Sequence, residues 1–213
     1  MDIEFDLETD GFAITRGLIP PAAIDEYLEG AYAGLSEAQK DNLAFQSHPW
    51  VRSVLCHHEI NRFAAHWRLN LALHSCLLKQ VDIGLPWHCD LLAGERHWGI
   101  WVALGPITKE NGPFQIIPGS HLWDFDRSDS GLSPENMEIS PTVDNVIDEY
   151  GAPHPEFFIA EAGDVLIWDT FCIHGAMKPL DPTTRRTAAI GHYAEHPMAV
   201  TDCDDGVRWV MER

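Results

Sequence analysis

From about residue 69 onward, apolar side chains recur at every second position, and Gly and Pro interrupt the pattern every few residues. Such alternation marks strands, because successive side chains of a strand point to opposite faces. The clearest run is 97–104. It places His97, Gly99, Trp101 and Ala103 on one face and Trp98, Ile100, Val102 and Leu104 on the other. Further strands are predicted over 71–80, 114–117, 165–168 and 186–193, the last being the final strong strand. Gly105-Pro106, Asn111-Gly112, Pro118-Gly119 and Gly163-Asp164 supply the turns between them. Many short strands separated in this way form an antiparallel sandwich or barrel.

The first third has a different period. Residues 9–16 read as a turn and a short strand. Pro20-Pro21 then opens a helix carrying Ile24, Tyr27, Leu28, Ala31 and Leu35 at helical spacing. Ser36-Glu37-Ala38-Gln39 is a capping box, so a second helix is expected there. A third is expected from about residue 50, with Val51, Val54, Leu55, His58, Phe63 and Trp67 on its stripe and His58 as a packed core histidine. These helices are expected to buttress one face of the sheet. Residues 122–158, rich in Asp, Glu and Pro, are the least regular stretch. An insertion of that length is either a lid over a site or a solvated loop.

A chain of 213 residues, 45% of them apolar, suits one globular domain over 1–213. Its expected parts are a helical segment 1–68 and a β core 69–213 that carries the insertion 122–158. No apolar run approaches the ~20 residues that span a bilayer. The acidic N-terminus lacks a signal-peptide pattern, and Cys56, Cys76, Cys89, Cys172 and Cys203 show no paired spacing. Reduced thiols and a cytoplasmic location are expected. The net charge of −19, from 33 acidic and 14 basic residues, argues against nucleic acid, which needs Lys and Arg for its phosphates. It argues more weakly against a coenzyme A ester. It fits a neutral or cationic small substrate, but solubility alone accounts for it more readily.

The stretch that carries chemistry is Trp87-His88-Cys89-Asp90. Extended backbone turns His88 and Asp90 to the same side. With His174 as a third ligand they compose the two-histidine, one-carboxylate triad that leaves positions open on a non-haem ferrous ion. His57-His58-Glu59 and His154-Pro155-Glu156 have a similar form. The first lies at helical spacing, where i and i+2 diverge, and the second lies in a Pro-rich loop. On spacing alone, the triplet at 88–90 is as compatible with a surface turn as with a metal site.

Several short motifs occur together in one order. Asp10-Gly11-Phe12 and Arg16-Gly17 come first, then Trp87-His88-Cys89-Asp90, Glu110-Asn111-Gly112-Pro113 and Ile117-Pro118-Gly119-Ser120-His121. Gly163-Asp164-Val165-Leu166, Ile173-His174-Gly175, Arg185-Arg186 and His192-Tyr193 follow. In this the chain resembles the phytanoyl-CoA dioxygenase family of Fe(II)- and 2-oxoglutarate-dependent oxygenases. The resemblance implies a mainly β fold, a double-stranded β-helix or cupin-like jelly roll with the N-terminal helices packed on one sheet. It implies His88, Asp90 and His174 as catalytic iron ligands, with 2-oxoglutarate and dioxygen as cosubstrates. It also implies an arginine for the distal carboxylate, which a guanidinium grips in a fork. Arg185 and Arg186 adjoin, and neighbours on a strand face opposite ways. Arg186 shares its face with Ala188, Ile190 and His192 and is the one chosen.

Trp101 matches a tryptophan lining the cosubstrate pocket of relatives and serves equally well as a core aromatic. Ala176 stands where relatives often carry a serine, so one hydrogen bond to the cosubstrate is absent. Ser120 and His121 are expected in a structural turn, and Cys89 packs away from the metal. Trp98, Trp123 and Trp168 are core aromatics or walls of an apolar pocket. The implied reaction is hydroxylation of a small metabolite at an unactivated C–H bond, with release of succinate and carbon dioxide. Desaturation or cyclisation in secondary metabolism is the alternative. A non-oxidative, cupin-like metal-binding protein would keep the barrel without needing Arg186.

Overall fold

Residues 98–103 form the strand around which the rest is laid. In the computed structural model, which describes residues 2–32, 53–69, 72–81, 84–90, 97–131, 140–181, 183–184, 186–194, 199–203 and 206–210, this strand lies inside a six-stranded antiparallel sheet. We label the strands β1 (Ile3–Glu4), β2 (Phe12–Thr15), β3 (Ala72–Val81), β4 (Leu85–His88), β5 (Trp98–Ala103) and β6 (Phe114–Ile116). They continue with β7 (Glu156–Phe158), β8 (Val165–Asp169), β9 (His174–Ala176), β10 (Arg186–Ala194), β11 (Ala199–Cys203) and β12 (Gly206–Val210). The six-stranded sheet runs β1-β2-β8-β5-β10-β3, and a four-stranded sheet runs β4-β9-β6-β7.

Two apolar layers follow from the alternation along β5. Trp101 and Ala103 join Phe12, Ile14, Leu166, Trp168, Ala188 and Ile190 of the same sheet. Across from them stand Phe114, Ile116 and Phe158 of the four-stranded sheet. This layer is the interior of the jelly roll, and the fold class expected from the sequence is the one observed. The other face of β5, with Trp98, Ile100 and Val102, packs on Ile24, Val54, Leu55, Ile60 and Phe63 of the helical segment. Each large side chain buried there contributes about 1.5–3 kcal/mol. Tyr193 of β10 donates its hydroxyl to Leu55 O at 2.9 Å, tying the helices to that face.

At Gly99 the interior forbids a side chain: a Cβ there would sit 2.1 Å from the Trp168 ring. Gly99 and Trp168 are cross-strand partners, so the indole packs closely against the β5 backbone.

Helix α1 (Pro21–Tyr27) begins with proline in its first turn, as expected, and continues into a π turn at Leu28–Tyr32. The capping box at Ser36 and the start of the third predicted helix lie outside the described residues. Helix α2 (His58–Ala64) starts afresh, with the His57 side chain accepting from Glu59 N. That new start rotates the stripe. Ile60, Phe63 and Ala64 face the core, while His58 is exposed rather than packed.

The stretch 122–158 is more regular than expected. It contains helix α3 (Pro141–Glu149) and ends in β7, which pairs with β6. Ser140 caps α3 by accepting from Thr142 N, and Pro141 occupies the first turn. Val143 and Val146 bury against Cys89, Ile117 and Ile173. The predicted last strand is followed by the hairpin β11–β12. Among the described residues no helix is long and apolar enough to cross a membrane.

Candidate metal centre

His88 ends β4 and His174 begins β9, and the two are directly paired across the four-stranded sheet. Their rings lie 4.3 Å apart between centroids. β4 is an edge strand with a register irregularity between Leu85 and His88, which suits Pro86. Asp90 lies just past the end of this short strand.

Backbone bonds aim Asp90. Cys89 N donates to Ser130 O at 2.9 Å and Asp90 N donates to Thr170 O at 3.0 Å. Cys89 turns the other way into the α3 layer, where burial pushes its thiol up to about 11. The carboxylate of Asp90 then stands 3.6 Å from His88 Nε2 and 3.2 Å from His174 Nε2. The three ligand atoms lie within 4.8 Å of one another.

Each imidazole is oriented by its other nitrogen. His88 Nδ1 lies 2.7 Å from Pro86 O, and His174 Nδ1 lies 2.9 Å from Cys172 O. A carbonyl only accepts, so both Nδ1 atoms carry a proton, and in the neutral rings it is the Nε2 lone pairs that face the carboxylate. That is the tautomer a metal ligand needs. Burial opposes ionisation of Asp90; when the histidines are protonated instead, the charge and hydrogen bond of His174 and the charges of His192 and His88 override it and hold the carboxyl well below its usual range. Two neutral imidazoles and one carboxylate make a donor set suited to a divalent transition metal.

Phe114 stacks on the His174 ring at 5.3 Å, and Trp168 lies 5.6 Å away. A third imidazole, His192, brings Nδ1 to 3.9 Å from Asp90 Oδ2. The sequence placed His192 on the inward face of its strand but gave it no role; its two-residue steps from Arg186 were the signal. Among the described residues neither rival triplet makes a three-ligand cluster. His57 is a helix cap, exposed His58 pairs with Glu59 at 3.2 Å, and His154 and Glu156 are exposed just before and at the start of β7.

Arg186 is fully buried at the far end of the same interior. Its Nη1 donates to the carbonyls of Asn111, Gly112 and Met177. Gly112 makes this possible: it has φ +78°, and a Cβ there would sit 2.8 Å from Nη1. Burial lowers the guanidinium to about 10, so it remains a cation at neutral pH. Arg185 lies outside the described residues. Trp101 is 2% exposed, and its Nε1 has no hydrogen-bond partner among the described residues. Ser120 and His121 form the expected turn, with Ser120 Oγ donating to Ile117 O and accepting from Ile173 N. Trp98 faces the helices, and Trp123 stacks on Tyr150 at 4.3 Å, so neither lines this interior.

A family model described as phytanoyl-CoA dioxygenase matches residues 35–187. The chain belongs to that family. No curated protein sequence matches it. Among solved structures, it resembles the non-heme alpha ketoglutarate dependent carbocyclase SnoK from nogalamycin biosynthesis. The TM-score is 0.68 at 18% identity, over 88% of this chain and 81% of that one. The epimerase SnoN from the same biosynthesis matches with TM-score 0.65 at 21% identity, over 92% and 83%. SnoN has also been solved with Fe3+, alpha ketoglutarate and nogalamycin RO. HygX from Streptomyces hygroscopicus, solved with nickel and 2-oxoglutarate bound, matches with TM-score 0.60 at 15% identity, over 88% and 84%. At these identities the likeness is one of fold.

Proposed function

We propose that this member of the family is an Fe(II)- and 2-oxoglutarate-dependent oxygenase that hydroxylates a small metabolite at an unactivated C–H bond. The observation that carries the reading is the convergence of His88 Nε2, His174 Nε2 and the Asp90 carboxylate within 4.8 Å. The three would hold the ferrous ion. Bound iron supplies activation of dioxygen, coupled to oxidative decarboxylation of the keto acid. The balance is substrate, dioxygen and 2-oxoglutarate giving hydroxylated substrate, succinate and carbon dioxide.

The chain's own residues bind and orient. Met177, whose carbonyl receives Arg186, stands three residues beyond His174. That is about 10 Å along extended backbone, a length that suits a five-carbon diacid. Arg186 grips the distal carboxylate through its charge and fork geometry. Trp101 Nε1 donates to the same ligand. Phe114, stacked on His174, keeps water from the inner side of the metal site. A neutral or cationic substrate fits the acidic chain, whose net charge is −19.

Ring closure, desaturation or epimerisation is a second reading, because a carbocyclase and an epimerase share the fold. A non-oxidative metal-binding protein would keep the triad but would need no Arg186 beyond its bonds to the carbonyls of Asn111, Gly112 and Met177. The test is succinate release from 2-oxoglutarate, screened across amino acids, alkaloid-like amines and acyl thioesters. Wild type should release succinate only with Fe(II) and a matching substrate, and Asp90→Ala should not. Equal release by Asp90→Ala would refute the assignment.

A further inference from the structure

Two buried indole nitrogens, Nε1 of Trp101 and Nε1 of Trp168, have no hydrogen-bond partner among the described residues. A buried donor without an acceptor is rare and needs a reason. Trp101 has one in the role proposed above. Trp168 does not, and it is 2% exposed.

Its position supplies the reason. On the inner face of the six-stranded sheet, His192, Gly99 and Trp168 form one cross-strand row. His192 in that row lies 3.9 Å from Asp90 Oδ2. The Trp168 ring lies 5.6 Å from the His174 ring and 6.2 Å from the His192 ring. The row therefore marks the metal end of the interior, and Arg186, at the other end of β10, marks the opposite one. Gly99 gives up a side chain so that this ring can lie there. A phenyl ring would fill much of the same space without leaving an N–H unsatisfied.

We propose that the Trp168 indole N–H is a further binding donor for the keto acid, donating to the carboxylate at its metal end. The inference rests on the oxygenase reading above. An indole nitrogen can donate but not accept, and it carries no lone pair to compete for the metal. It suits the carboxylate oxygen that the metal leaves free. Arg186 holds one end of the diacid by charge, and Trp168 fixes the other by direction. A monoacid such as pentanoate, which can reach Arg186 but has no carboxylate at the metal end, has no acceptor to offer Trp168.

The experiment uses the full chain, labelled with nitrogen-15 and loaded with Zn(II) as a diamagnetic substitute for iron. The indole N–H signals of the eight tryptophans are followed by NMR, with Trp168→Phe assigning the one in question. Saturating 2-oxoglutarate should move the Trp168 signal downfield and slow its exchange with solvent, and pentanoate, which lacks the metal-end carboxylate, should not. Trp168→Phe should bind 2-oxoglutarate about tenfold more weakly with unchanged Zn(II) affinity. A stationary Trp168 signal while other signals report 2-oxoglutarate binding overturns this inference and leaves the oxygenase reading intact, as does unchanged affinity in Trp168→Phe. If no signal moves and no heat of binding is measured, the oxygenase reading fails and takes this one with it. Should Trp168→Phe not fold, selective labelling by fragment assignment of the wild type decides the same question.

Discussion

Nε2 of His174 lies 3.2 Å from Oδ2 of Asp90, and one short connection sets both groups. Thr170, at the start of the link between β8 and β9, receives the Asp90 amide at 3.0 Å. The same link ends at His174, whose Nδ1 donates back to Cys172 O. Thr170 is itself fixed to His97, its Oγ1 lying 3.0 Å from the ring and 2.9 Å from the carbonyl. The geometry of the triad is thus a property of the 169–174 turn as much as of the ligands.

Asp90→Ala and His174→Ala should each weaken Fe(II) or Zn(II) binding by more than about 100-fold, beyond what loss of a supporting contact gives. Calorimetric titration checks this, with circular dichroism confirming that the barrel is retained. Metal affinity within a few-fold of wild type in Asp90→Ala would move the site elsewhere.

Arg186→Met should leave metal binding intact and weaken 2-oxoglutarate binding about 100-fold, or about 3 kcal/mol. Arg186→Lys should recover only part, because an ammonium lacks the planar fork. The carbonyls of Asn111, Gly112 and Met177 lose a donor in Arg186→Met, so a stability loss of about 1–3 kcal/mol accompanies it.

Gly99→Ala should destabilise the fold by about 1–3 kcal/mol, since the new methyl meets the Trp168 ring at 2.1 Å on a sheet that cannot retreat. Urea unfolding measures it. Gly17→Ala, which meets nothing within 4 Å but has φ +56°, separates backbone strain from collision and should cost less.

Alkaline pH should reveal the buried thiols. Burial raises Cys89 from 9.0 to about 11, and burial raises Cys172 further still. The unfolded thiol ionises near pH 9 while the folded one stays protonated. The stabilisation is therefore complete below pH 9 and declines as pH rises toward 11, by about 1.4 kcal/mol per unit for each thiol. Between pH 8 and pH 10, Cys89→Ala should lose about 1 kcal/mol less stability than wild type, read from urea midpoints. Equal losses would mean that Cys89 does not titrate with the fold.

Much of this was legible in the sequence because the relevant signals are local. The two faces of 97–104 were separated by period alone, and they became the two apolar layers. Arg186 was placed inward by counting in twos from Ala188 and Ile190. The failures have physical causes. His58 was assigned to a stripe that assumed one continuous helix, but capping at His57 restarts the helix and turns His58 outward. Helix α3 was hidden among prolines, although Ser140-Pro141 with Val143 and Val146 carried a cap and a buried face. From the sequence Trp168 reads as a core aromatic or a pocket wall and His192 carries no role, because their place beside the triad depends on cross-strand register, which spacing within a segment cannot supply.

The most direct test of the central claim is anaerobic titration of the Fe(II)-loaded protein with 2-oxoglutarate, followed by visible absorption. Chelation of a keto acid to iron held by His88, Asp90 and His174 predicts a weak charge-transfer band that saturates at one equivalent per chain and is lost in His174→Ala. No band in wild type, or the same band in His174→Ala, would contradict it.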